Sequence, residues 1–183
     1  SAVDVEIRKE DAGPPQAAAT VAANGVHIFE LPPYNVDGSM KGNRAWRITA
    51  AAPIIAYQFN PLENELVYSN DASVLFPSNT WGKEYLVMSR QQWGTDSGLD
   101  TAVHGFVTVV AGFNNTEVTV TVTAPTRAGG GVPAYNAGDT FTVDLAPYEV
   151  LSLETGSAGA DLTGTKVVAT QPVGVFGGHE CAF

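Results

Sequence analysis

The sequence predicts an all-β protein made of two tandem, related antiparallel β-sandwich-like units. Three observations carry that expectation: apolar and polar residues alternate with period two along most of the chain, glycine and proline punctuate the alternating runs, and two early stretches recur later in altered form. No stretch shows a convincing stripe of helical period.

Taken in order, Val3, Val5 and Ile7 alternate with Asp4 and Glu6, a strand with no hairpin partner before it. Residues 26–36 read as a strand, a corner at Pro33-Tyr34, and a second strand. Residues 48–57 form an apolar run interrupted by Pro53, which lacks a ladder donor and so belongs at a strand start, an edge or a bulge. Further on, Val118, Val120 and Val122 alternate with Thr119, Thr121 and Thr123, giving one strand an apolar face and a hydroxyl face. Residues 104–111 read as its hairpin partner across residues 112–116, whose Gly, Asn and Thr suit a turn. Runs at 140–145, 150–153 and 166–176 continue the series, separated by Pro147, Gly156, Gly159 and Gly164.

The recurrence is legible by eye. Residues 26–36 parallel 140–150, with Tyr34 and Tyr148 separated by 114 positions. Residues 48–57 parallel 167–176, with Pro53 and Pro172 separated by 119. The expected organisation is one domain over 1–183, composed of repeat unit 1 at about 1–102 and an incomplete repeat unit 2 at about 103–183. Both units are expected to lack a strand, supplied by flanking segments or neighbouring subunits, because an uncovered edge invites pairing.

Nineteen acidic against nine basic residues give a net charge of -10, which repels phosphate backbones and anionic lipid and so argues against nucleic-acid or membrane-surface partners. The longest apolar run, residues 50–59, is about half of the ~20 residues that span a bilayer, so no membrane insertion by this chain is expected. The first residues carry neither a basic nor an apolar targeting segment. Scarce Lys and Arg with abundant Gly, Thr and Val fit an extracellular or cell-surface protein.

Candidate sites are few. The loop at Gly94, Thr95, Asp96, Ser97 and Gly98 has a serine, and His27 and Asp71 precede it, but the spacings are too short and no G-x-S-x-G elbow exists. No catalytic residue and no cofactor is expected. His179, Glu180 and Cys181 offer nitrogen, carboxylate and sulfur in a row, without a second pair of ligands for a metal. Cys181 is buried and free, or pairs with a cysteine outside the chain. Asn60, Glu63, Asn64, Glu65, Asn70 and Asp71 concentrate oxygen donors; Asn70 and Asp71 are the candidates for a calcium ion, though the same residues are ordinary turn formers. Trp81 is expected to pack inside, whereas Arg90, Gln91, Gln92 and Trp93 form the candidate partner-binding stretch, since aromatic and arginine side chains dominate interface energetics. The run Gly129-Gly130-Gly131 is a flexible connection, with no helix or Lys-Ser/Thr to make it a phosphate loop. Asn114-Asn115-Thr116 is a glycosylation sequon in a turn, usable in a glycosylating host.

Five ordered motifs then converge: residues 56–61 (Ala-Tyr-Gln-Phe-Asn-Pro), 69–73 (Ser-Asn-Asp-Ala-Ser), 81–85 (Trp-Gly-Lys-Glu-Tyr), 106–111 (Phe-Val-Thr-Val-Val-Ala) and 175–181 (Val-Phe-Gly-Gly-His-Glu-Cys). Together they resemble the N-terminal IgG-Fc-binding-protein domain family over roughly residues 3–183. The resemblance implies an extracellular, non-enzymatic recognition or adhesion module of a cell-surface or secreted protein, with a protein or glycoprotein ligand. It also implies further cysteine-containing sequence after Cys181. Two alternatives stand beside it: a structural subunit of an extracellular fibre or coat assembled by β-strand pairing, and a carbohydrate-binding module. A glycan binder should present exposed aromatics at alternating spacing on one sheet face, and the sequence is read as having none.

Overall fold

The computed structural model describes residues 1–60, 71–94 and 102–181. Twelve strands occur among the described residues: β1 (Val3–Arg8), β2 (Ala17–Val21), β3 (Met40–Asn43), β4 (Arg47–Ala50), β5 (Tyr57–Asn60), β6 (Asp71–Val74), β7 (Gly82–Leu86), β8 (Gly105–Ala111), β9 (Thr116–Thr121), β10 (Thr140–Leu145), β11 (Glu149–Glu154) and β12 (Lys166–His179). The sole helical turn among these residues is a 3-10 turn at Ser78–Thr80. All strand pairings are antiparallel.

The large sheet runs β10-β9-β12-β8-β11-β3, with β7 also on β12. Strand β12 joins its two halves. Residues Lys166 to Ala169 pair with β9, and Val173 to His179 pair with β8. Between them the register against β7 shifts, at the segment holding Pro172, whose missing N–H suits an interrupted ladder. The halves enclose one apolar core: Val107, Val109 and Ala111 from β8, Leu151 and Leu153 from β11, Val118 and Val120 from β9, and Val167 and Val173 from β12. Each is nearly solvent-free, and burying a side chain of this size is worth about 1.5–3 kcal/mol. The alternation of Val and Thr in β9 is thus a core face of valines and an outer face on which Thr119 and Thr121 bond Thr142 and Thr140 of β10 at 3.0 and 2.8 Å.

Four sequence expectations need correction. Strands β8 and β9 are not a hairpin, because β12 lies between them in the sheet. Both carry a valine face onto the same core, and the turn at 112–116 arches the chain from one half of the sheet to the other so that both faces are covered. Strand β1 is no lone edge: β2 and β4 flank it. Residues 26–36 form no strand; Pro32 and Pro33 remove two donors in succession, and Val26 and Ile28 are exposed. Residues 48–57 split into the end of β4, a connection containing Pro53, and the start of β5, where the later counterpart is one 14-residue strand.

The three-stranded sheet β2-β1-β4 is tied to the large one at Tyr148, in the corner between β10 and β11. Its hydroxyl donates to Asp11 Oδ1 at 2.6 Å, and Asp11 also pairs with Arg47 Nη1 at 2.9 Å. The Arg47 guanidinium is held above its ordinary pKa mainly by the Tyr148 hydroxyl. Tyr148 adopts a φ of 69°, a left-handed conformation that β-carbons disfavour, and the bonds from both its ends fix it.

Candidate functional site

The candidate partner-binding residues lie on a strap, residues 87–93, that continues β7 across the edge of the large sheet. Its main chain is bonded along its length: Val87 N–H to Thr165 O at 3.0 Å, Gly164 N–H to Val87 O at 2.8 Å, Gln92 N–H to Ala160 O at 2.8 Å, and Gly159 N–H to Gln92 O at 3.1 Å. The Ser89 hydroxyl sits 3.2 Å from Phe106 O and 3.0 Å from Gly178 O, stitching the strap to β8 and β12. Two glycines make room for it. A Cβ on Gly105 or Gly177 would collide with the carbonyl oxygens of Arg90 and Met88 respectively.

Period-two alternation then divides the strap's side chains. Leu86, Met88 and Arg90 point outward, with Leu86 75% and Met88 80% exposed, and Val87 is buried; the alternation breaks at Gln91, which is exposed like Arg90, and Gln92 is buried after it. The Arg90 guanidinium lies 4.9 Å over the Trp93 ring, and the Trp93 ring lies 5.0 Å from that of His179 near the end of β12. Arg90, Trp93 and His179 thus make one cation–aromatic ridge, with Gln91 exposed beside it. Gln92, named in the same stretch, is only 5% exposed and belongs to the foundation instead.

That foundation is a polar network the sequence did not advertise. Gln92 Oε1 lies 3.1 Å from His104 Nδ1, which also lies 2.8 Å from Thr155 O. Arg127 Nη1 lies 3.1 Å from His104 Nε2. Because guanidinium only donates, Nε2 accepts and the ring's proton sits on Nδ1, between two acceptors. Arg127 Nη2 pairs with Glu154 Oε2 at 2.7 Å, at an angle that makes an ion pair without a good hydrogen bond; Glu154 Oε1 accepts from Gly38 N–H at 2.9 Å. Burial pushes the Glu154 carboxyl above its ordinary pKa, aided by the Glu180 charge and opposed by Arg127 and the Gly38 amide. Glu180 closes the network by accepting from His104 N–H at 2.6 Å. The signals for these residues were faint: Arg127 is one of nine cations in the chain, and Glu154 ends β11 just after Leu151, Ser152 and Leu153.

The remaining candidates are dispersed. His179 Nδ1 takes the Cys181 N–H at 3.1 Å, Cys181 is half-buried with no second cysteine in the chain, and Glu180 faces His104, so the three do not converge on one point. Among the described residues no three His, Cys, Asp or Glu side chains gather as a metal site. Glu63, Asn64, Glu65 and Asn70 lie outside the described residues, as does Ser97; of Asn60 and Asp71 only the backbone is described, as the Cα partners that end the β5–β6 pairing. Asn114 is exposed in the β8–β9 turn, while the Thr116 of its sequon is fully buried and donates to Phe113 O at 2.7 Å. Trp81 packs over Gly112 and Gly174. One reading is corrected: Tyr57 and Phe59, alternating on β5, are 61% and 53% exposed, so an outward aromatic pair does exist.

A family model described as "IgGFc binding protein" matches residues 71–183, which hold β6 to β12 and the whole ridge. The chain is also 35% identical over 112 residues to the human protein named "IgGFc-binding protein", an alignment that covers 61% of this chain and 2% of that protein's length. No solved structure matches.

Proposed function

Because the chain belongs to the IgGFc binding protein family, we propose that it is a non-enzymatic, extracellular recognition and adhesion module that binds a protein or glycoprotein through the ridge of Arg90, Trp93 and His179. The observation that carries this reading is the ridge's construction. Arg90 and Trp93 sit on a strap whose backbone is bonded and whose buried side chain, Gln92, is held by His104, and the Trp93 ring is tilted against His179 of β12. A surface ordered before binding loses little side-chain entropy on association, which is how a small patch becomes an interface anchor. Among the described residues no helix is long and apolar enough to cross a membrane.

The relative's name makes immunoglobulin G Fc the ligand to try first. Surface plasmon resonance on immobilised Fc should give binding that Trp93→Ala weakens at least about 30-fold, the factor matching a ~2 kcal/mol anchor. Binding by both proteins alike would remove the ridge from the interface; no binding by the parent would remove Fc as the ligand. A second reading rests on Tyr57 and Phe59, whose exposed rings on β5 suit stacking against sugar faces. Glycan-array binding lost in Tyr57→Ala but kept in Trp93→Ala would favour it.

A further inference from the structure

The small sheet β2-β1-β4 repeats the layout of β10-β9-β12, and the pairing registers agree. In the large sheet Val118 faces Ala169, Val120 faces Val167, and Thr121 faces Lys166. In the small one Val5 faces Ala50, Ile7 faces Ile48, and Arg8 faces Arg47. One constant offset takes β1 onto β9 and another takes β4 onto β12, with β2 and β10 on the same outer side. The correspondence ends at the next position: β12 has β7 along its other edge, and β4 has no neighbour there among the described residues.

Hydrogen-bond parity shows that this open edge is the equivalent one. Ala51 N–H donates to Asp4 O at 3.1 Å, so residues 51, 49 and 47 turn their main-chain groups to β1, and Ile48 and Ala50 turn theirs outward. In the large sheet the bonds between Val87 and residues 164 and 165 set the same alternation, so Val167, the counterpart of Ile48, bonds β7. Side chains tell the same story. Val167 is fully buried, whereas Ile48 at the corresponding place is 36% exposed.

From this we infer that the outer edge of β4 is a docking edge for an extended strand of the β7 kind, joining antiparallel through Ile48 and Ala50. The occupant's chemistry follows from β7 itself. Tyr85 of β7 lies opposite Val167, the counterpart of Ile48, so a docked strand in the same register sets its tyrosine against Ile48. Its next inward residue is apolar, as Val87 is, and falls beside Trp46, the counterpart of Thr165. Such a strand converts an open edge into a paired one by main-chain bonds, the mode known as strand addition.

The test is amide hydrogen exchange on the isotope-labelled chain with an unlabelled peptide of residues 82–90 as the probe. Ile48 and Ala50 amides should slow at least about tenfold, while Thr49, already bonded to β1, should not change. Ile48→Pro removes only an outward donor and should abolish the effect with β1 protection intact; Ala50→Pro is the second such variant. No slowing at saturating peptide would overturn the inference. So would equal slowing with a scrambled peptide, or protection confined to β12 because the peptide displaced the chain's own β7.

Discussion

At the scale of single residues, Glu154 is the side chain whose surroundings make the clearest claim. Its carboxyl is held above the ordinary value, chiefly by burial, so between the two values the folded chain keeps a proton that the unfolded chain has lost. Its contribution to stability is therefore greatest at low pH and declines as pH rises from about 4.5 upward. Urea unfolding at a series of pH values should show this decline in the parent and not in Glu154→Gln, and a difference between the two that does not vary with pH would refute it. Tyr148 was visible in the sequence as a proline-tyrosine corner, but its partner Asp11 was not, because their separation in sequence leaves no periodic trace. Tyr148→Phe should cost about 0.5–1.5 kcal/mol, the net value of one such hydrogen bond. The stretch holding Arg90 and Trp93 was legible because aromatic and basic residues stood out in a polar run. His104 and Arg127 escaped notice for the opposite reason: each is a lone polar residue whose role arises from tertiary contact.

At the scale of elements, what decides the arrangement is which faces must be buried. Alternation identified β8, β9, β10, β11 and β12, because every second residue of each meets the core. It did not identify neighbours. Strands β8 and β9 are adjacent in sequence and both half apolar, and a hairpin would have satisfied their backbone; packing their two valine faces onto one core required opposite halves of the sheet. Leu153→Ala in β11 should therefore lose about 2–5 kcal/mol, as for any fully buried leucine, measurable by denaturant unfolding. The strap depends instead on what is missing from its support. Gly177→Ala places a methyl against Met88 O, and should lower stability by about 1–3 kcal/mol and weaken ligand binding together, because the strap must lift. Loss of stability with undiminished binding would separate the strap from the interface.

At the scale of the whole molecule, the apolar core lies within residues 87–173, while most exposed large apolar side chains lie between residues 26 and 88. The matched family segment begins at residue 71 and so coincides with the part that owns the core. The early residues lend β3 to the edge of that sheet and otherwise form smaller sheets of their own. Sequence self-similarity hinted at this doubling but misplaced one correspondence: the counterpart of β10 by pairing is β2, not residues 26–31. Register, which hydrogen bonds fix and residue identity does not, was needed to see it. Under the proposed function, the surface offered for recognition is a ridge borne on the best-packed half. Hydrogen-exchange footprinting of the chain with immunoglobulin G Fc tests that most directly. Protection concentrated at residues 87–93 and 179–181 is the expected result, and a footprint that leaves those residues untouched would contradict the account.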